Sequence, residues 1–281
     1  QSSKAWDGRK NFYSGDARKP KSYLLTNTVW DGRDSKGNPL EDGHYTYVVR
    51  YTPDVPGAEE QTVSFDLQID TQKPQITSGY ITNKDGVETL TVRKPKDVGN
   101  GGILREQVFY LKADEEGSIT YKDVDSHGKE REYEHRVYLS ANEDGTYTLP
   151  EGVDKSQIFY AVEDYAGNKD VLALSEFVSS ENSGRIRVSM VDATTHKDVD
   201  TTFVYRIKDD KGKYVDLDKG KDINFLPFGR YTVEVFTYDR DEIKFYGSKT
   251  QEFELTAQDS FKTIEFLVKE VVFAPVSVTF D

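Results

Sequence analysis

Two apolar alternations in quick succession constrain this chain more than any other feature. In residues 42–53 (DGHYTYVVRYTP) Tyr45, Tyr47, Val49 and Tyr51 fall on one side, with Thr46, Val48 and Arg50 on the other. In residues 62–76 (TVSFDLQIDTQKPQI) Val63, Phe65, Leu67 and Ile69 alternate with Thr62, Ser64, Asp66 and Gln68. Successive side chains of a strand point to opposite faces. A period of two, sustained twice across a short polar loop, therefore predicts an antiparallel pair with one face on a core and one wet. The proline-containing stretch DTQKPQ stops the sheet, and a new alternation follows. That succession predicts β units joined end to end.

The length, 281 residues, suits two or three such units. Apolar content is low at 36% and charged content high at 31%, yet the chain carries 18 Tyr and 15 Phe. Disordered chains lack that aromatic load, so folded modules with small cores and large wet surfaces are expected. A net charge of -13 repels nucleic acid, and the positive runs at Arg9-Lys10 and 18–21 are short. The absence of cysteine removes disulfides, thiol chemistry and cysteine-ligated metals without fixing a compartment. No apolar run approaches the ~18 residues of a membrane span. With Gln1 first and no signal peptide, the sequence reads as a piece of a longer polypeptide.

The expected division is 1–70, 71–178 and 179–281. In the first unit, 1–22 read as an irregular surface segment, 23–29 as a strand and 30–43 as a long turn region. Three or four strands fall short of the about seven a sandwich needs, so either the unit is small or its opening strands lie upstream. Strands are expected in the second unit at 75–81, 88–93, 105–111, 133–139, 145–149, 156–163 and near Val171, with at most two helical turns in 172–180. The third starts after the polar break 179–184. It alternates through Ile186, Val188 and Met190, through Phe203, Tyr205 and Ile207, and across 228–239. Phe253 with Leu255, and Ile264 with Phe266 and Val268, supply two more strands. Residues 271–281 either close this unit or open the next. The phrase Gly-x-Tyr-Thr occurs at 43–46, 145–148 and 229–232, once per unit, and reads as one local turn-to-strand device.

Candidate chemistry is sparse. His44, His127, His135 and His196 are not spaced as ligand pairs, and no serine sits in a glycine-rich nucleophile turn. No catalytic residue is expected in this chain. Asp123, Asp125, His127 and Gly128, with Glu134 at loop position 12, superficially follow a calcium loop, but His at position 5 and β-like flanks argue for a solvated turn. Asp31 and Asp34, and Asp164 with Asn168, are further acidic turns where calcium at a unit junction is conceivable. Trp6, Tyr13 and Trp30 lie in or beside Gly- and Asp-rich loops. They form either a surface binding patch or the packing that closes those loops onto a sandwich.

The ordered succession WDGRDSKGNPLEDGHYTYVVRYTP, VSFDLQIDTQKPQI and FYAVEDYAGN resembles the fibronectin III-like and Ig-like modules downstream of the catalytic domain in streptococcal and lactococcal cell-envelope subtilisin-like proteinases. That family includes lactocepin and the complement-cleaving peptidase. The third unit, around DATTHKDVDTTFVYRI and PFGRYTVEVFTYD, is similar to the chemokine-cleaving branch. The resemblance implies tandem all-β sandwiches from a secreted or wall-anchored serine endopeptidase. Their implied roles are spacing, stabilising and docking of protein substrates, with the catalytic domain and a host protein such as a chemokine as partners. The family's catalytic motifs are absent here, so no catalytic residue carries over. Two other classes remain: an adhesin-like stalk binding a host protein or glycan, and carbohydrate-binding accessory modules. Separate cores flexing at short joints are the expected mechanics.

Overall fold

The computed structural model describes residues 32–34, 36–53, 55–99, 101–199, 203–218, 223–237 and 243–270. Strands β1 (Gly43–Tyr51) and β2 (Gln61–Ile69) form an antiparallel two-stranded sheet. Its register sets Tyr45 opposite Leu67, Tyr47 opposite Phe65 and Val49 opposite Val63, so the two apolar sets share one face as the alternation requires. That face is only partly covered: Val63 is 41% and Phe65 52% exposed. The segments 1–22 and 23–29 lie outside the described residues, as do Trp6, Tyr13, Trp30 and Asp31.

The middle of the chain folds into a two-layer sandwich. In chain order it contributes β3 (Gly79–Lys84), β4 (Val87–Val92), β5 (Ile103–Leu111), β6 (Thr120–Val124), β7 (Glu130–Glu134), β8 (Arg136–Leu139), β9 (Tyr147–Thr148), β10 (Ile158–Asp164) and β11 (Lys169–Ala173). A single helical turn, α1 (Leu174–Phe177), and a short strand, β12 (Val178–Ser179), follow. One sheet has the order β11-β10-β5-β8 and the other β12-β3-β4-β9. Between them lie Leu90, Val108, Tyr147, Ile158, Tyr160 and Val162, closed at one end by Ile76, Leu174 and Phe177. Strand β10 alternates strictly between its core and outer faces, which the sequence 158–164 dictates.

Hairpin β6–β7 stands apart as its own two-stranded sheet. Its first strand is missing from the sequence expectation because 120–129 has too few apolar residues to alternate, and the single strand expected at 133–139 is divided at His135 into the end of β7 and β8. The residues at 75–78, expected to open a strand, make only a bridge at Gln75 before β3 begins at Gly79.

The last sandwich comprises β13 (Ser183–Asp192), β14 (Phe203–Asp209), β15 (Ile223–Pro227), β16 (Gly229–Thr237), β17 (Ile243–Phe245), β18 (Thr250–Leu255) and β19 (Phe261–Glu270). Its sheets are ordered β15-β13-β19-β17 and β14-β16-β18. The core sets Ile186, Val188, Met190, Ile264, Phe266 and Val268 against Ile207, Val233, Val235 and Leu255. Strands β15 and β17 have no counterpart in the sequence expectation, being too short for an alternation to show. Two pairings are parallel, β12 with β3 and β13 with β19.

The repeated Gly-x-Tyr-Thr has two structural forms. The Tyr45 hydroxyl donates to the Glu41 carbonyl (2.6 Å), and Tyr231 donates to the Pro227 carbonyl (2.8 Å). Each tyrosine thus ties its strand to the chain four residues upstream, a tyrosine-corner arrangement. At the middle copy Gly145 instead supplies a positive φ of 80° to a turn closed by its N–H on the Asn142 carbonyl.

Candidate functional site

The most elaborate arrangement of polar side chains in the described residues is the joint between the two sandwiches. Strand β12 ends at Ser179 and β13 starts at Ser183, so the polar break expected as a linker is a tight turn. The Ser183 N–H and hydroxyl both donate to the Ser180 carbonyl, and the Phe228 N–H donates to that of Asn182. Ser183 and Gly184 are buried. A Cβ on Gly184 would lie 2.5 Å from the Ser260 carbonyl oxygen, so this close backbone approach requires glycine.

Arg185 follows and is 2% exposed. Its Nη1 donates to the carbonyls of Ile76 and Thr77 in the middle sandwich, each at 2.9 Å. Its guanidinium lies 4.8 Å from the ring centroid of Phe261, the residue opposite it in the β13–β19 register. Burial pushes its pKa down to about 10, with Asp170 and Glu176 opposing that fall, so the side chain stays cationic at neutral pH. A buried charge is costly unless hydrogen bonds and a polarisable surface replace water, and arginine, with its planar fork and weaker hydration, is the cation best suited to this.

Two more cations complete the joint. Arg93 lies between the rings of Tyr80 (5.1 Å) and Phe228 (5.0 Å), one from each sandwich. It donates to the Ser78 hydroxyl at 2.9 Å and to the carbonyls of Ser183 and Glu181. Lys96 donates to the Phe261 carbonyl at 2.6 Å and pairs with Asp259 at 2.5 Å. Asp259 also pairs with Lys262. Burial raises the Asp259 pKa, but the hydrogen bonds from Lys262 and Lys96 outweigh it and hold the carboxyl below the usual range. Ser78 and Ser260, each 1% exposed, meet hydroxyl to hydroxyl at 2.8 Å. The segment 75–78 is gripped from both sides, since the Ile76 N–H also donates to Asp170 at 3.0 Å.

The joint is short, as expected, but it also carries a buried hydrogen-bond network across it that the sequence reading did not include. Sequence reasoning missed it because Arg185 occupies the outer phase of a strand whose inner phase is Ile186, Val188 and Met190. An outer-phase arginine reads as wet, as Arg187 indeed is. Only the packing of a second body over the start of β13 buries it.

A second meeting place lies between the β1–β2 hairpin and the middle sandwich. The Gln68 side chain donates to the Gly99 carbonyl at 2.9 Å, and the Asn168 amide donates to the Asp70 carbonyl at 3.0 Å. The Asp42 carboxylate accepts from the N–H (3.0 Å) and hydroxyl (2.9 Å) of Thr71. Asp164 is fully buried and serves its own turn, accepting from the Asn168 N–H (2.8 Å) and side-chain amide (2.9 Å).

The other acidic candidates are likewise engaged. Asp125 closes the β6–β7 turn by accepting from the N–H groups of His127 and Lys129 and from Arg131 Nε (2.5 Å). Asp123 accepts from the Val124 N–H, and Glu134 pairs with Arg136 at 2.7 Å. Asp34 accepts from the N–H groups of Lys36 and Asn38. Hydrogen bonds from Arg131 and from Asn38, respectively, lower the pKa of Asp125 and Asp34. Among the described residues no group of three His, Cys, Asp or Glu side chains is placed to hold a metal. His135 lies 4.0 Å from Asp114 beside an open recess lined by no serine, threonine or cysteine. Among the described residues no helix is long and apolar enough to cross a membrane.

No family model matches the chain. Solved structures of the Bacillus cereus major pilin subunit BcpA (11% identity, covering 84% of this chain and 89% of that one) and the Bacillus anthracis TIE protein (13%, covering 82% and 52%) align with TM-scores of 0.23, too low to bear on fold or function. Sequence similarity is more informative. The chain is 34% identical over 169 residues to the C5a peptidase of Streptococcus pyogenes serotype M3 and 36% identical over 170 residues to that of serotype M1. Each alignment covers 57% of this chain but 13% of the relative's length. Over more than half its length, then, this chain is similar to a stretch of a streptococcal C5a peptidase.

Proposed function

We propose that this chain is a non-catalytic accessory arm from the C-terminal region of a secreted or wall-anchored subtilisin-like serine endopeptidase. The similarity to a stretch of C5a peptidase carries this reading. The three-part division at 70/71 and 178/179 belongs to the proposal. Two cores lie on either side of the second boundary, at 76–178 and at 186–268, and they support it. The arm's work is mechanical: the catalytic domain of the same polypeptide is its covalent partner, and the two sandwiches form one stiff element that holds a protein substrate in a set position. A host chemokine is the proposed substrate class.

The test is made in the parent protease. Arg185→Ala removes the buried cation of the joint while leaving both cores intact. Cleavage of a folded chemokine is expected to fall severalfold in kcat/KM, with cleavage of a short peptide spanning the same bond unchanged. An unchanged kcat/KM on the folded chemokine, in a variant shown to have lost the joint, would end the docking role. Calorimetry of the isolated chain with the chemokine then separates direct substrate contact from spacing alone.

A further inference from the structure

Two buried carboxylate oxygens at the meeting of hairpin and middle sandwich have no hydrogen-bond partner: Asp70 Oδ2 and Asp97 Oδ1. Asp70 is 9% exposed, and Asp97 accepts from the Gly102 N–H at 2.7 Å through its other oxygen. Asp70 presses its carboxylate against Gly99 and Gly101. A Cβ on Gly99 would collide with it, and one on Gly101 would lie 2.8 Å from Oδ2. The remaining Asp70 oxygen accepts from the Gln72 N–H at 2.9 Å. The turn 164–168 closes over the same place, with the Tyr165 N–H on the Gly102 carbonyl (3.1 Å) and Asn168 on the Asp70 carbonyl.

An unpartnered carboxylate oxygen shielded from water is expensive. At the other joint of this molecule Arg185 and Lys96 supply cationic donors to buried carbonyls. Here no side chain does so. The geometry points to a calcium ion bound by Asp70 and Asp97 beside Gly99, Gly101 and Gly102, where it pins the β1–β2 hairpin to the middle sandwich. The donors suit calcium because they are hard oxygens on an irregular loop, and calcium draws its remaining ligands from backbone carbonyls and water. Two carboxylates are therefore a sufficient side-chain share. Zinc, which prefers nitrogen and sulfur, has neither histidine nor cysteine here. The glycines at 99 and 101 have a reason in this site, since any side chain there would displace the Asp70 carboxylate. Neither aspartate stands out in sequence. Asp70 ends a strand in the joint DTQKP, and Asp97 lies in a loop with no metal-loop spacing.

The experiment uses the whole chain, stripped with chelator and titrated with calcium chloride by calorimetry, alongside thermal unfolding with and without calcium. The expected result is saturable heat at one site and a transition temperature that rises with calcium concentration. Asp70→Asn and Asp97→Asn should each weaken the apparent affinity at least about tenfold, as losing a charged ligand does. Asp125→Asn, at the hairpin turn that only resembles a calcium loop, should leave it unchanged. The wild-type titration stands even if Asp70→Asn fails to fold, and Asp97→Asn gives a second location test. No heat and no shift in the wild type would overturn the site, as would heat that survives both substitutions.

Discussion

The two meeting places of this chain solve one physical problem from opposite sides. Between the sandwiches, Arg93, Lys96 and Arg185 supply donors to backbone carbonyls across the joint, and aromatic rings from both bodies flank the two guanidiniums. Between hairpin and middle sandwich, amides and carboxylates meet the neighbouring backbone, and two carboxylate oxygens are left over. The first joint brings its own cations to the neighbouring backbone, and the second meets it with amides and carboxylates. In a chain of net charge -13, three cations gathered at one joint bind the two sandwiches across it.

The largest effect expected from breaking that contrast is at Arg185. Arg185→Ala orphans the carbonyls of Ile76 and Thr77 and should cost about 2–6 kcal/mol, since each buried acceptor left unpaired costs about 1–3. Calorimetric unfolding should change from one merged transition of the two sandwiches to two. Gly184→Ala comes next. Its Cβ must push against the Ser260 carbonyl, a backbone atom that cannot swing away, for an overpacking cost of about 1–3 kcal/mol in denaturant titration. Ser78→Ala removes the hydroxyl that meets Ser260 and accepts from Arg93, and should cost about 1 kcal/mol.

Acid should weaken the same joint. The Asp259 carboxyl is held below its usual range in the folded state, so the unfolded chain binds more protons and stability rises with pH across that window. The contribution is present above an unfolded pKa of about 4 and is lost as pH falls through the lower folded value. In Asp259→Asn the slope of stability against pH over this range should flatten. The smallest effect belongs to the hairpin. Phe65→Thr, at a half-exposed position on the apolar face of β2, should change stability by less than about 0.5 kcal/mol. A loss of several kcal/mol there would show that this face is covered more fully than its exposure indicates.

Much of the β framework was legible in the residues because alternation is a backbone property. Strands β1, β2, β10, β13, β16 and β19 lie where apolar residues recur at a period of two. What was not legible depends on which body covers the outer face. Arg185 and Arg187 are equivalent in sequence, two outer-phase arginines on one strand, yet only the first lies under the middle sandwich. Asp70 and Asp97 are similarly ordinary until the chain brings them to one loop. Conversely, Asp123, Asp125 and Glu134 had metal-like spacing, and the structure spends them on a hairpin turn and two arginines. Spacing along the chain measures ligand geometry only where the loop itself wraps the ion.

The rigid joint is tested most directly by a distance distribution across it. The chain has no cysteine, so spin labels on Glu143→Cys and Lys211→Cys, exposed positions on the two sandwiches, report it without background. Pulsed electron–electron resonance should give one narrow distance in the otherwise native chain and a broad one when Arg185→Ala is added. A broad distribution in the native chain, unchanged by Arg185→Ala, would contradict the stiff arm and return the molecule to independent beads on a flexible string.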